Sequence, residues 1–332
     1  MATFAKTSFD TVIYAASRPT YPKALFELIH KYHQEGSAAL PVEGKRPPLK
    51  GRPRFDTAID LGCGTGQATA ELTQFRKVIG VEPSAGMLEN AKKYVLERFG
   101  TGETNSDTTN AQFEFVQSSA EQLGFLEDKS VDLVIAAQAA HWFDWNKMWP
   151  ELARILRPNG TVAFWVYSEF RLPQYPSLTD LITDYAQGSD PDNSLGPHWQ
   201  RPGRTVLEDH LVDVPTPKDV SGSEKSFSEV NRLFFTGPYY PDLPASQTLP
   251  VILRMKTTWN GLLGYFRTWS SLHTYLERHP DDLKREDGNI ADRFWRSLMN
   301  GAAKESGQTV KGEDEITVDW PVALVLAKKV SE

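Results

Sequence analysis

The run Ala58-Ile59-Asp60-Leu61-Gly62-Cys63-Gly64-Thr65-Gly66 constrains this chain more than any other stretch. Apolar residues lead into a glycine-rich turn, and a helical pattern follows from Gln67 to Phe75. That order opens an α/β doubly wound sheet. The second half of the signal lies 22 positions beyond Asp60, where Val78-Ile79-Gly80-Val81 reads as a buried strand ending on Glu82. Glycines let backbone approach a ligand, and an acid at the tip of the next strand accepts both hydroxyls of a ribose.

Spacing narrows the nucleoside. The dinucleotide fingerprint is G-x-G-x-x-G, with a pyrophosphate on the helix N-terminus. Here the glycines stand at Gly62, Gly64 and Gly66, and position 67 is Gln. Asp60 would repel a pyrophosphate and suits a cationic amino-acid group. Cys63, inside the turn, reads as a small packing residue.

The 332 residues exceed a minimal doubly wound domain, and 40% apolar residues with nine Trp allow a sizeable core. Net charge is −7 with no Lys/Arg stripe, which disfavours nucleic acid. The single Cys rules out an internal disulfide framework and fits a reducing compartment. Met1 to Asp10 lacks the apolar core of a signal peptide, and no run is apolar enough to span a membrane. The expected location is cytoplasmic and the expected state a monomer.

Three stretches are expected: an N-terminal arm, lid and loop over 1–54, the nucleoside-binding core over 55–168, and insertions plus completing strands over 169–332. In the core the pattern predicts strands at 57–61, 77–81, 113–116, 131–137 and 160–167. Helices are predicted at 66–74, 84–98, 120–124 and 145–155. Beyond it, helices are expected at 178–186, 262–278 and 290–306, and a sixth strand at 227–235. A final strand or hairpin arm spans 316–327, with Pro321 at an edge or bend.

Several motifs together resemble the S-adenosylmethionine (SAM) dependent class I methyltransferases, specifically the trans-aconitate methyltransferase-like group. They are Tyr14-Ala15-Ala16-Ser17-Arg18-Pro19-Thr20-Tyr21-Pro22, the glycine turn, Gly80-Val81-Glu82-Pro83-Ser84-Ala85-Gly86-Met87-Leu88 and Ser118-Ser119-Ala120-Glu121. Ala137-Gln138-Ala139-Ala140-His141-Trp142-Phe143 and Tyr265-Phe266-Arg267-Thr268-Trp269-Ser270-Ser271 complete the set. The last is narrower than the others and carries the aconitate-like part of the resemblance. The resemblance implies a Rossmann-like seven-stranded sheet, mostly parallel with one antiparallel strand, under helical insertions.

It also implies the cofactor contacts. Gly62 and Gly64 would lie against the methionine moiety, Asp60 would orient its amino group, and Glu82 would take the ribose hydroxyls. Pro83, Ser84 and Met87 would flank the adenine. Ser119, Ala120 and Glu121 would meet its edge, with Ser119 where relatives often carry Asp. Gln138 would close the site beside the sulfonium. Tyr14 and Tyr21 would close the arm over the cofactor, and Arg18 would neutralise its carboxylate. After methyl transfer the product is S-adenosylhomocysteine.

The end of the fourth strand bears on the reaction class. Amide and base nitrogen methylation commonly use Asp/Asn-Pro-Pro-Tyr/Phe there; this chain has Gln138-Ala139-Ala140-His141. No paired metal ligands follow, so no metal is expected. His141 reads either as a general base for hydroxyl methylation or, with Trp142, as a pocket wall. A carboxylic acid is already ionised at pH 7 and needs no base. An arginine clamp would belong on a second, non-reacting carboxylate. The expected activity is therefore esterification of a small di- or tricarboxylic acid, with Arg267 as clamp and Tyr239, Trp269, Ser270, His141 and Trp142 lining the pocket. Arg254 and Arg18 are further clamp candidates. Hydroxyl methylation with His141 as base, or SAM binding without catalysis, are the alternatives.

Overall fold

A computed structural model describes residues 18–41, 51–100 and 109–330. The chain divides into two units: a major one (Thr20–Tyr167, Thr205–Ile252, Val322–Glu332) and a minor one (Met1–Pro19, Ser168–Arg204, Leu253–Pro321).

In the major unit, strands β1 (Thr57–Leu61), β2 (Lys77–Val81), β3 (Gln112–Val116), β4 (Val131–Ala137) and β5 (Leu156–Tyr167) pair parallel. β6 (Asn231–Phe235) and β9 (Val322–Lys328) complete a seven-stranded sheet in the order β3-β2-β1-β4-β5-β9-β6. β9 runs antiparallel to both its neighbours, β5 and β6. The inner strands have near-continuous apolar runs because both faces are covered. Asp132 is a buried exception on β4, and its charge is compensated. It accepts the N–H groups of Asp56 and Thr57 at 2.9 Å and pairs with Arg157 at 2.8 Å.

Long helices pack with this sheet. α1 (Lys23–Glu35) buries Leu25, Phe26, Ile29, Tyr32 and His33. α2 (Ala85–Phe99) starts at Ser84, whose side chain accepts the Met87 N–H, and buries Met87, Leu88, Ala91 and Val95. α3 (Trp145–Ile155) buries Trp145, Met148, Trp149, Leu152 and Ile155, one helical stripe.

A buried polar chain fastens α1 to the sheet. Lys328 Nζ donates to the carbonyls of His33 (2.7 Å) and Asn159 (2.6 Å) and to Thr161 Oγ1 (2.8 Å). The Arg54 carbonyl can only accept, so His33 Nε2–H donates to it at 2.8 Å. His33 Nδ1 therefore accepts the Thr161 hydroxyl at 2.7 Å. Burial lowers His33 to about 3, with Lys328 adding to the shift, and lowers Lys328 to about 7.

The minor unit pairs β7 (Leu253–Thr258) with β8 (Glu315–Trp320) and carries α4 (Thr179–Gln187), α5 (Trp259–Phe266), α6 (Ser270–Arg278) and α7 (Ile290–Ser306).

Four sequence expectations need correction. The helix at 66–74 is a single 3-10 turn, Thr69–Glu71, where hydrogen bonds tighten from i−4 to i−3 and Thr69 spends its hydroxyl on Asp60. Residues 120–124 form turns rather than a helix. The 262–278 helix is two helices, because Thr268 Oγ1 bonds back to the Tyr265 carbonyl and Trp269 is extended. The 316–327 segment is two strands, β8 and β9, separated at Pro321 and paired in different sheets.

Candidate cofactor site

The glycine turn folds back on the end of β2. The N–H groups of Gly62 and Cys63 both donate to the Val81 carbonyl, at 2.8 and 3.0 Å. Gly62 (φ 66°) is packed tightly: a Cβ there would lie 2.6 Å from the Ala139 methyl. Gly64 (φ 55°) is different, since a Cβ built on it meets nothing within 4 Å. One glycine thus lets elements pack, and the other leaves backbone open to a ligand.

Two buried carboxylates face this turn. Glu82, 8% exposed, accepts the Gly64 N–H at 3.1 Å and the Ser84 N–H at 2.9 Å. Two bonds leave about half of a carboxylate's acceptor sites available. Burial raises its pKa, opposed by those two N–H groups. Asp60 is wholly buried. Its Oδ2 accepts the Thr69 hydroxyl at 2.7 Å, and its Oδ1 has no hydrogen-bond partner among the described residues. Burial lifts its pKa from 3.8 to about 7; Glu82 adds to the rise and Thr69 opposes it.

An orphaned buried carboxylate oxygen is costly, and an ammonium group would satisfy it. A diol would take the remaining acceptor sites of Glu82. The pair would repel a phosphate. This donor and acceptor set fits an amino-acid-bearing nucleoside such as SAM. The Cys63 thiol, pushed up by burial and then by Asp60 and Glu82, packs with Leu88, Ala91 and Phe115.

Around the expected adenine position, Ser84 caps α2 and Met87 is 3% exposed. The Pro83 carbonyl accepts Gln117 Nε2 at 3.1 Å. Ser119 and Ala120 lie in a turn after β3. Glu121 Oε1 accepts the Asp144 N–H at 3.1 Å, bracing this turn against the start of α3.

At the end of β4, Gln138 sits at φ 58°. Its Oε1 accepts the Tyr167 N–H at 2.6 Å, and its Nε2 donates to the Tyr167 carbonyl at 3.0 Å. The side chain thereby adds a rung between β4 and β5, a role the sequence does not signal. His141 lies on the 3-10 turn Ala140–Trp142, buried, with its ring 4.8 Å from that of the half-exposed Trp142. Tyr239 ends another 3-10 turn in the same unit. Sequence reasoning also missed Thr69; its one signal is a hydroxyl on the helical face that follows the turn.

The remaining expected residues belong to the minor unit. Arg18 Nη2 donates to the Thr268 carbonyl at 3.2 Å, and its guanidinium lies 5.3 Å from the centre of the Tyr265 ring. Arg267, half-exposed, pairs with Asp292 at 2.9 Å. Arg254 forks onto buried Asp319 at 2.6 and 2.8 Å. Trp269 and Ser270 are buried at the start of α6. Tyr14 lies outside the described residues. Among the described residues no group of His, Cys, Asp and Glu is placed to hold a metal ion, and no helix is long and apolar enough to cross a membrane.

Comparison with known proteins agrees with this geometry. A family model described as a methyltransferase domain matches residues 59–164. The chain is 31% identical to the Saccharomyces cerevisiae protein named "Probable S-adenosylmethionine-dependent methyltransferase CRG1", over 97% of this chain and 96% of the relative. It is 25% identical to "Methyltransferase cfoB" of Aspergillus candidus, covering 96% and 94% of the two chains. A solved structure from Anaeromyxobacter dehalogenans, assigned as a type II methyltransferase, superposes with a TM-score of 0.59 at 22% identity. It covers 95% of this chain and 99% of the other, and shows the fold.

Proposed function

This chain belongs to the class I SAM-dependent methyltransferases, and from that premise we propose that it esterifies a carboxylate of a small di- or tricarboxylic acid related to aconitate or fumarate. The cofactor is SAM. When bound, it supplies a methyl group on a sulfonium, a leaving group that needs no activation.

The observation that carries the reading is the state of Gln138. Both ends of its amide are committed to the backbone of Tyr167. Each end keeps one hydrogen-bonding site, but the two bonds tie the amide to β5 and remove its freedom to follow an amine nucleophile through the reaction. A carboxylate acceptor requires neither such a clamp nor a base. It must be held in line with the methyl group and shielded from water. In this reading Asp60 and Glu82 fix the two ends of the cofactor, and the open backbone at Gly64 lies along its amino-acid moiety. His141, its ring tilted 45° to that of Trp142, shapes the acceptor's surroundings.

The clamp for a non-reacting carboxylate is assigned to Arg267, supported by Trp269 and Ser270, with Arg18 as the alternative. Arg267 would have to exchange Asp292 for the acid, which predicts modest affinity. The enzyme is read as a cytoplasmic monomer without nucleic-acid or membrane partners. The test is incubation of the purified chain with SAM and fumarate, aconitate, itaconate or isopropylmalate. Acid-dependent release of S-adenosylhomocysteine together with a methyl ester is expected. Background release with every acid would sink the carboxylate assignment while leaving SAM binding intact.

A further inference from the structure

α7 carries two apolar stripes, and the core of the minor unit takes one of them. Ile290, Ala291, Phe294, Leu298 and Ala302 are buried. That side is closely packed: a Cβ on Gly301 would lie 2.4 Å from Leu178 Cδ2. The second stripe is Trp295, Met299 and Ala303, spaced four apart and only half-buried. With Val310, from the segment after the helix, these three line a groove of about 540 Å³. The Trp295 indole is held in place, since its Nε1–H donates to the Trp259 carbonyl at 2.7 Å.

Two cations flank this apolar floor. Arg296 and Lys304 each follow a stripe residue by one position, are exposed and line the groove. Eight residues of helix separate them, about 12 Å. Among the described residues no carboxylate lines the groove. Neighbouring acids are spent elsewhere. Asp287 lends Arg296 only its backbone carbonyl, and its carboxylate takes Arg285 at 2.8 and 2.9 Å. Asp292 pairs with Arg267, and Glu305 accepts the Ser177 hydroxyl at 2.6 Å. The helix dipole alone would favour Lys304 in the last turn. It explains neither Arg296 two turns earlier nor the apolar stripe beside both.

Charge and spacing decide what would fit. In a chain of net charge −7, this groove is a local cationic surface. Apolar side chains four apart form the ridge that a second helix meshes with. We propose that the groove docks an amphipathic helix of a partner protein. Its apolar ridge lies against Trp295, Met299 and Val310, and two of its carboxylates, about two turns apart, meet Arg296 and Lys304. An interface this narrow belongs to the weak, transient class.

The test is fluorescence anisotropy of the full chain with a labelled, capped four-turn peptide helix that carries two glutamates eight positions apart beside a leucine stripe. Counterparts carry glutamine or lysine at those two positions. Saturable binding of the glutamate peptide is expected, weaker by about five- to 25-fold for the glutamine peptide. Lys304→Glu, an exposed change, should weaken the glutamate peptide at least fivefold and favour the lysine peptide. Met299→Asp should abolish binding, and urea melts of both variants show whether they fold. Should Met299→Asp unfold, Lys304→Glu still decides. No saturable binding by the parent, equal binding of the glutamine peptide, or an unchanged glutamate preference in Lys304→Glu would each overturn the proposal. Self-association of the parent that Lys304→Glu abolishes would also overturn it, by giving this face to a second copy of the chain.

Discussion

The hydroxyl of Thr69 donates to one oxygen of Asp60 at 2.7 Å and leaves the other, equally buried, without a partner among the described residues. The carboxylate is thus oriented but half satisfied, so a cationic group arriving at Oδ1 gains a charge-assisted bond and relieves a desolvation cost.

A pH dependence follows for cofactor uptake. The pKa of Asp60 rises from 3.8 to about 7 in the folded chain. With the folded value above the unfolded one, the free protein loses stability as pH climbs across that window. Cofactor affinity has the opposite slope, because the ammonium needs the ionised acid. It should fall below about pH 7, by up to tenfold per unit, with a proton released on binding. Calorimetry in buffers of different ionisation enthalpy measures that release. Asp60→Asn should weaken S-adenosylhomocysteine by about 10- to 100-fold and flatten the profile; an unchanged slope would remove Asp60 from this role.

The two turn glycines should fail differently. Gly62→Ala drives a methyl to 2.6 Å from Ala139 at φ 66°, so it should lower folding stability by about 2–3 kcal/mol. Gly64→Ala carries only the left-handed strain, about 1 kcal/mol, but puts its methyl into open space. Urea melts and cofactor titrations side by side should show Gly62→Ala as mainly a stability defect and Gly64→Ala as mainly a binding defect.

His141 separates the two acceptor chemistries. If the acceptor is a carboxylate, His141→Ala should keep single-turnover methyl transfer within about tenfold of the parent. Loss of the chemical step by 10²-fold or more would favour a hydroxyl acceptor with His141 as base. Arg267→Ala should raise KM for the acid with little change in kcat, and breaking its exposed pair with Asp292 should cost under about 1 kcal/mol of stability.

At the far end of β9, Lys328→Met would strip three acceptors of their donor. The expected loss is about 3 kcal/mol, read from chemical denaturation. Lys328 also adds a slope. Its pKa falls from 10.5 to about 7 on folding, so the unfolded chain holds more protons between those values and stability rises with pH across them. The Met variant should lack that rise.

Much of the major unit was legible because its strands carry long apolar runs and its helices keep strict stripes. β1, β2, β4 and α3 fall on the positions that periodicity gives. The turn at 69–71 was not legible, since local pattern cannot tell a nine-residue helix from one turn whose threonine is diverted to Asp60. Asp60 and Glu82 stood out as acids at strand tips. Gln138 did not reveal that its amide would act as a ladder rung, because that depends on a positive φ. Arg267 could be singled out by motif, yet its surface pairing with Asp292, 25 positions away, is a tertiary fact.

Among the described residues, β9 comes after every other strand, yet it lies between β5 and β6 and is the only strand of the sheet that β6 pairs with. On a ribosome, the first five strands can associate while β6 emerges with no neighbour to join. Its apolar residues must wait until roughly ninety more have been added. Vectorial synthesis therefore leaves a late, aggregation-prone interval, and its length is set by how fast translation reaches Val322.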